Sequence, residues 1–286
     1  MNRFVRTLAE LSRVKLSFAV ALSAVAGFVP VCHSLSWGLL AAFAGVALLS
    51  AAASAFNQIQ EMDLDALMER TRFRPLLTEQ ASPGQALVFA IGSALAGLAI
   101  LFFYTTPLAS LLGGCTLVWY CMVYTPLKRK TLFALPVGAL TGALPPLIGC
   151  AAATGKILGP AVGIACFLFF WQVPHFLLML LKYGREYEAA GFPYMSILKN
   201  EGRFRGIVFV WCAAASASAL AFPLFGLVSG LWTLATLIAP NILFIVYFYV
   251  RMLRASAAID VNMAFRAMYL FQGSILALVI VQGILS

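Results

Sequence analysis

The sequence predicts an all-α polytopic membrane protein with nine transmembrane helices, and three observations carry that expectation. Hydrophobic residues fill 63% of the 286 positions and charged residues only 10%, and the mean hydropathy is +0.96, outside the range of soluble globular chains. Apolar runs recur at the length of about 18–25 residues that a hydrocarbon core requires. The charges then fall on alternate connections between those runs. The runs lie at about 16–34, 36–57, 85–104, 107–124, 132–154, 157–181, 206–227, 228–250 and 266–285.

The first run follows Arg3, Arg6, Arg13 and Lys15, a basic segment ahead of an apolar one as in a signal peptide. Eight further runs follow it, so it is read as a retained first helix. The second passes directly into "NQIQEMDLDALMERTRFRPL", residues 57–76, the most charged stretch of the chain. No Pro or Gly falls between 57 and 68, so the helix is expected to continue out of the membrane until Pro75 and then Pro83 and Gly84 end the segment. The third and fourth runs are separated by "YTTP", and the fourth ends in "YTPLKRK", where Pro126 threatens the helix between Tyr124 and Lys128. The fifth carries "GALTGALPPLIG" and ends at a Gly-rich turn near 155. The sixth contains "FWQVPHFLLMLLK" and leads into a 182–205 loop that also starts as a helical continuation. The last three runs are joined near 228 and around Arg251, Arg254 and Arg266.

The positive-inside rule places the N-terminus, the 58–84 and 182–205 loops and the Lys128 to Lys130 cluster in the cytoplasm, with the C-terminus opposite. No polar linker divides the chain, so a single domain over 1–286 is expected. The two long loops follow the second and sixth runs, which points to a pseudo-repeat of four helices. The net charge of +9 comes with no groove-reading module, which excludes a nucleic-acid partner and leaves orientation, anionic ligands and membrane lipids. Six cysteines, at 32, 115, 121, 150, 166 and 212, form no C-x-x-C pair and are read as small packing residues.

Asn57, Glu61 and Asp65 are spaced i, i+4, i+8, which puts an amide and two carboxylates on one helical face at about 6 Å of rise per step. Hard oxygen donors of this kind suit Mg²⁺, which keeps positions for water and phosphate oxygens. Asp63 lies off that stripe, to be solvated, paired with an Arg or used from a kinked end. A solvated loop balanced by arginines is the bland reading, but carboxylates at the edge of hydrocarbon are costly unless paired or used. The second cluster, "LKYGREYEAAGFP" at 181–193, holds Lys182 and Glu186 at i, i+4, a spacing that also suits a simple surface ion pair. Two acidic clusters at equivalent helix ends fit two metal ions bridging a diphosphate. Arg70, Arg72, Arg74 and Lys128 are available to it, although "KRK" equally suits a positive-inside anchor. His175 lies about 10 Å deeper than Lys182 by helical rise, beside Pro174, and an ionisable group there is a candidate site residue. His33, at the outer end of the first run, is read as incidental.

The pattern N-x-x-x-E-x-D-x-D-x-x-M-x-R-T-x-x-R-P-L resembles the first acidic motif of the UbiA superfamily of intramembrane prenyltransferases, and nine spans match that superfamily's bundle. "DLDALMERTRFRPL", "GALTGALPPLIG", "FWQVPHF" and "EYEAAGFPYM" are most similar to its heme O synthase family, over about residues 13–205. The resemblance implies transfer of a farnesyl group from farnesyl diphosphate to a vinyl group of heme B in a bacterial cytoplasmic (inner) membrane. It implies that Asn57, Glu61, Asp65 and Glu186 hold Mg²⁺, that Arg70, Arg74, Lys128 and Lys182 meet the diphosphate, and that Tyr124 and His175 contact substrate, His175 facing the porphyrin. It leaves room for a downstream heme or oxidase-assembly partner. The chain departs from the family pattern at Glu61, where Asp is usual, at Ala134, where Asn is usual, and in a basic loop one residue shorter. A prenyltransferase with a phenolic or quinone-precursor acceptor is the neighbouring reading. A secondary transporter is the reading from another class, disfavoured because its site belongs near the midplane, and an integral heme protein is disfavoured by two histidines far apart in depth.

Overall fold

The computed structural model describes residues 3–34, 36–193, 200–254 and 259–285. A short helix, α1 (Arg3–Leu11), precedes α2 (Val14–Cys32) and α3 (Trp37–Gln60); a single turn, α4 (Met62–Asp65), follows, and then α5 (Pro83–Tyr104) and α6 (Pro107–Leu127). The chain continues through α7 (Ala134–Thr154), α8 (Gly159–Ala189), α9 (Glu201–Leu220), α10 (Leu231–Arg254) and α11 (Val261–Leu285). Among the described residues nine of these, all but α1 and α4, are long and apolar enough to cross a membrane, as the hydropathy pattern predicts.

Neighbouring spans pack in chain order, and α11 returns to α2 and closes the ring. Two large apolar cores result among the described residues, beside a small cluster of Leu11, Leu76, Ala81 and Ala86. One gathers Phe28, Val46, Leu101 and Ile148 from α2, α3, α5 and α7, and the other Phe167, Phe204, Phe244 and Phe271 from α8 to α11. The tightest crossing is between α2 and α7. A Cβ on Gly27 would lie 2.0 Å from the Pro146 carbonyl oxygen, and one on Gly149 would lie 1.9 Å from that of Ala24. Without a hydrophobic driving force between helices in lipid, such close backbone approach is what holds a crossing together.

Helix ends follow local chemistry. Ser82 and Gln85 form a capping box, with Pro83 in the first turn of α5, so Pro83 opens a helix as well as closing the preceding segment. Pro126 does not break α6. The helix widens into a π turn over Trp119–Tyr124, the Lys128 N–H still bonds the Tyr124 carbonyl at 3.0 Å, and the two side chains keep a common face. The sixth span runs on to Ala189, the helical continuation expected at the start of the 182–205 loop, and it is kinked at Tyr183 (φ −117°, ψ 19°), next to the buried Gly184. The expected helix over 57–68 is instead cut at Glu61 (φ −117°, ψ 16°), where Arg129 captures the Gln60 carbonyl and Asp63 together. Residues 194–199 of the 182–205 loop, with the end of "EYEAAGFPYM", lie outside the described residues.

Candidate active site

The break at Glu61 positions the first acidic cluster. Asn57 lies on the buried last turn of α3 and its Nδ2 donates to Glu61 Oε2 at 2.9 Å, while the same oxygen accepts from Lys128 Nζ at 2.7 Å. One turn on, the Asp65 N–H bonds the Glu61 carbonyl at 2.7 Å, and the Asp65 carboxylate pairs with Arg74. Asn57, Glu61 and Asp65 are 3%, 5% and 1% exposed, so these charges are withdrawn from water and held by one another. Asp63 points the other way into a two-point pair with Arg129, 3.0 Å on each side.

Electrostatics follow burial. Desolvation holds the Asp65 carboxyl above the ordinary carboxylate range, against the pull of Arg74. Burial likewise pushes the Lys128 ammonium and the Arg74 guanidinium below their usual values, against the attraction of Glu61 and Asp65. Arg129 holds the exposed Asp63 below the usual range.

These residues close one end of a cavity of about 290 Å³ between the two cores. Its polar end carries Asn57, Glu61, Asp65, Arg13, Arg70, Arg74 and Lys128, four cations against two carboxylates. Its body is lined by Val46, Leu49, Leu117, Pro145, Ile148, Phe176 and Met179, and by Tyr120, Tyr124 and His175. Tyr124 lies between Tyr120 and Phe176, with ring centroids 5.4 and 6.4 Å away, and Lys128 Nζ sits 5.3 Å above its ring. His175 is surrounded by Trp171, Phe265 and Tyr269 at 5.2, 5.3 and 5.5 Å, and its Nδ1 is buried with no hydrogen-bond partner among the described residues.

Eight of the sequence-derived candidates therefore share one lining: Asn57, Glu61, Asp65, Arg70, Arg74, Tyr124, Lys128 and His175. Lys182 and Glu186 lie outside it, and they do not form the simple ion pair their spacing allows. The kink at Tyr183 turns them apart: Lys182 Nζ donates to Asn262 at 2.9 Å, and Glu186 Oε2 accepts from the Arg70 N–H at 3.2 Å. Glu186 thus braces the loop that carries Arg70. Sequence reasoning overlooked Arg13, Tyr120, Gln172 and Tyr187, which also line the cavity. Arg13 reads as a topology anchor, Tyr120 and Gln172 read as ordinary interior residues of apolar runs, and Tyr187 is one uncharged residue between the acids of the second cluster. His33 is not idle: its Nδ1 sits 3.2 Å from the Gly283 carbonyl oxygen and ties α2 to α11.

The fit of a hard divalent cation can be judged from the donors. Among the described residues no three His, Cys, Asp or Glu gather, so any metal here has two carboxylates and an amide oxygen. That set matches Mg²⁺, which keeps positions for substrate oxygens. The buried Glu61 Oε1 has no partner among the described residues, which leaves a carboxylate oxygen for the task.

A helical bundle that encloses an apolar cavity closed at one end by carboxylates and cations defines a membrane enzyme acting on an amphiphile with an anionic head. The chain belongs to the UbiA prenyltransferase family, whose model matches residues 16–271. A Geobacter sulfurreducens protein named protoheme IX farnesyltransferase is 42% identical over 223 residues, covering 77% of this chain and 81% of its own. The fold is also that of a digeranylgeranylglyceryl phosphate synthase structure (TM-score 0.81, 16% identity, full coverage of both chains). It matches as well a UbiA homolog from Archaeoglobus fulgidus solved with GPP and Mg²⁺ (TM-score 0.73, 15% identity, 98% of this chain and all of that one).

Proposed function

We propose that this single-domain chain transfers a farnesyl group from farnesyl diphosphate to a vinyl group of heme B, with one water adding to the side chain, giving heme O and diphosphate, with Mg²⁺ as cofactor. The observation that carries the reading is the two-part cavity: a charged end of Asn57, Glu61, Asp65, Arg74 and Lys128 on an aromatic and aliphatic body. The naming of the Geobacter relative as a protoheme IX farnesyltransferase supports heme as the acceptor.

Asn57, Glu61 and Asp65 would hold Mg²⁺, with Glu186 acting on the same end through the Arg70 backbone. Bound there, the ion withdraws charge from a diphosphate as it leaves. Arg74 and Lys128 exchange their carboxylate partners for phosphate oxygens and stabilise the departing anion in a dry, low-dielectric end. Arg70, held over the Tyr183 ring at 5.0 Å, meets the same anion from the loop side. Lys182, anchored on Asn262, lies 5.4 Å from the centre of the same Tyr183 ring.

As the allylic C–O bond breaks, positive charge appears on the prenyl chain below the diphosphate. The faces of Tyr120, Tyr124 and Phe176 stabilise that charge without offering a nucleophile. The apolar walls keep water from it until the vinyl group has attacked; water then adds to the cation left beside the porphyrin ring and loses a proton, which gives the hydroxyl of heme O. The His175 ring, fixed by Trp171, Phe265 and Tyr269, orients the porphyrin. The charged ends then face the cytoplasm across a bacterial inner membrane, where diphosphate substrates are made.

Incubating the purified chain with farnesyl diphosphate, Mg²⁺ and heme B and weighing the extracted heme tests this. A farnesylated heme, absent with Asp65→Asn, is the expected result. Unchanged heme alongside prenylation of a phenolic acceptor would sink the heme assignment.

A further inference from the structure

Arg13 stands between α1 and α2 with φ 46° and ψ 55°, a left-handed conformation that a non-glycine residue keeps only where its surroundings hold it. Both of its flanks are pinned. Leu11 is buried among Leu76, Ala81 and Ala86, and Gln58 Nε2 donates to the Glu10 and Leu11 carbonyls at 3.3 and 3.0 Å. On the other side Ser17 Oγ donates to the Ser12 carbonyl at 2.8 Å. Gln58 directly follows Asn57, so the strained residue is strapped to the helix that carries the first acidic motif.

The strap puts the Arg13 side chain on the cavity wall beside that motif. Of the four cations lining this cavity, Arg74 pairs with Asp65, Lys128 with Glu61, and Arg70 rests on Tyr183. Among the described residues the Arg13 guanidinium has no such contact. An uncompensated guanidinium at the edge of hydrocarbon is costly unless it is used, and its planar fork matches phosphate oxygens. Arg74 and Lys128 are already balanced by carboxylates, so Arg13, together with Arg70, supplies the surplus positive charge.

We propose that Arg13 is a further anion-binding residue of this cavity, held in place by α1, and that its ligand is a phosphate oxygen of the prenyl diphosphate. The inference rests on the diphosphate reading of the site. Gln58 is then a positioning residue, acting through Arg13.

Titrating inorganic pyrophosphate with Mg²⁺ into the detergent-purified full chain by calorimetry tests it, with Arg13→Gly, Arg13→Gln and Arg13→Lys. Glycine relieves the left-handed backbone while removing the fork, so it separates a role in binding from a role as a hinge. The expected result is a loss of about 10–100-fold in pyrophosphate affinity for the Gly and Gln variants, the size of one charge-assisted contact. The Lys variant, which keeps the charge without the fork, falls between these and the parent, the Gly variant melts no lower than the parent, and KM for farnesyl diphosphate rises while that for the acceptor stays. Parental pyrophosphate affinity in Arg13→Gly overturns the assignment. So does a rise confined to the acceptor KM, which would give the fork to an acceptor carboxylate. A parent chain that binds no pyrophosphate overturns the diphosphate reading itself, and this assignment with it.

Discussion

Glu61 performs three tasks with one side chain: Oε2 receives both Asn57 and Lys128, Oε1 is left for a ligand, and its backbone turns the chain out of α3. Aspartate, one methylene shorter, cannot reach all of these from the same backbone. Glu61→Asp is therefore expected to lose a charge-assisted contact of about 1.5–3 kcal/mol, seen as a tenfold or greater rise in the Mg²⁺ concentration for half-maximal activity. A rise in the farnesyl diphosphate KM should accompany it. Asp63 makes the opposite case. Its pair with Arg129 is largely exposed, so Asp63→Asn should cost about 0.2–1 kcal/mol of stability and leave turnover within about twofold of the parent. The sign of its pH dependence follows from the lowered value: the contribution is fully present above the ordinary 3.8 and disappears as pH falls through the folded value. Thermal melts of the parent and Asp63→Asn chains at neutral pH should differ, and the difference should vanish in acid. At this scale the spacing of Asn57, Glu61 and Asp65 was readable because helical periodicity brings i and i+4 together. The same periodicity sets Asp63 off that stripe, with an Arg partner among its options; the break at Glu61 and the identity of the partner were not readable, since both depend on Arg129, distant in sequence, which also takes the Gln60 carbonyl.

The elements meet where small residues allow it. Gly149 admits the Ala24 carbonyl of α2, and Gly27 admits that of Pro146, and in both cases the obstacle to a methyl group is backbone rather than a movable side chain. Gly149→Ala must then separate α2 from α7, and is expected to destabilise the bundle by about 1–3 kcal/mol or more, measured as a lower melting temperature in detergent and weaker membrane accumulation. Gly142 presents a different neighbour. A Cβ there would come 1.7 Å from Gln172 Oε1, the far end of a flexible side chain that lines the cavity. Gly142→Ala should leave the melting temperature within a few degrees yet push the Gln172 amide into the substrate space, so that substrate KM rises severalfold with stability kept. Span lengths were legible from hydropathy because a membrane helix is an average over about 20 residues. The break after Gln60, the π turn before Tyr124 and the kink at Tyr183 each rest on one or two local or long-range bonds, which an average does not register. The kink at Tyr183 also explains why Lys182 and Glu186, equivalent in sequence to the first cluster, do not join the cavity lining.

For the whole molecule, the position of the site constrains the direction in which the bundle lies in the bilayer. Glu61, Asp65, Arg74 and Lys128 converge on one end of the cavity, and the Lys128–Glu61 and Arg129–Asp63 pairs link the turn after α3 to the end of α6. The opposite connections, between α2 and α3, α5 and α6, and α7 and α8, carry Lys156 as their one full charge. A cytoplasmic diphosphate reaches the site without crossing hydrocarbon only if the charged end faces the cytoplasm, which is also the orientation that basic loops impose. The two arguments are independent, one from substrate access and one from insertion, and they agree. In a background with all six native cysteines replaced by alanine or serine and activity retained, Lys130→Cys and Lys156→Cys should react from opposite sides. A membrane-impermeant maleimide added to intact cells is expected to label position 156 and to spare position 130, and inverted vesicles should reverse the pattern. Labelling of position 130 from outside would place the diphosphate end away from the cytoplasm and remove the route by which the proposed substrate arrives.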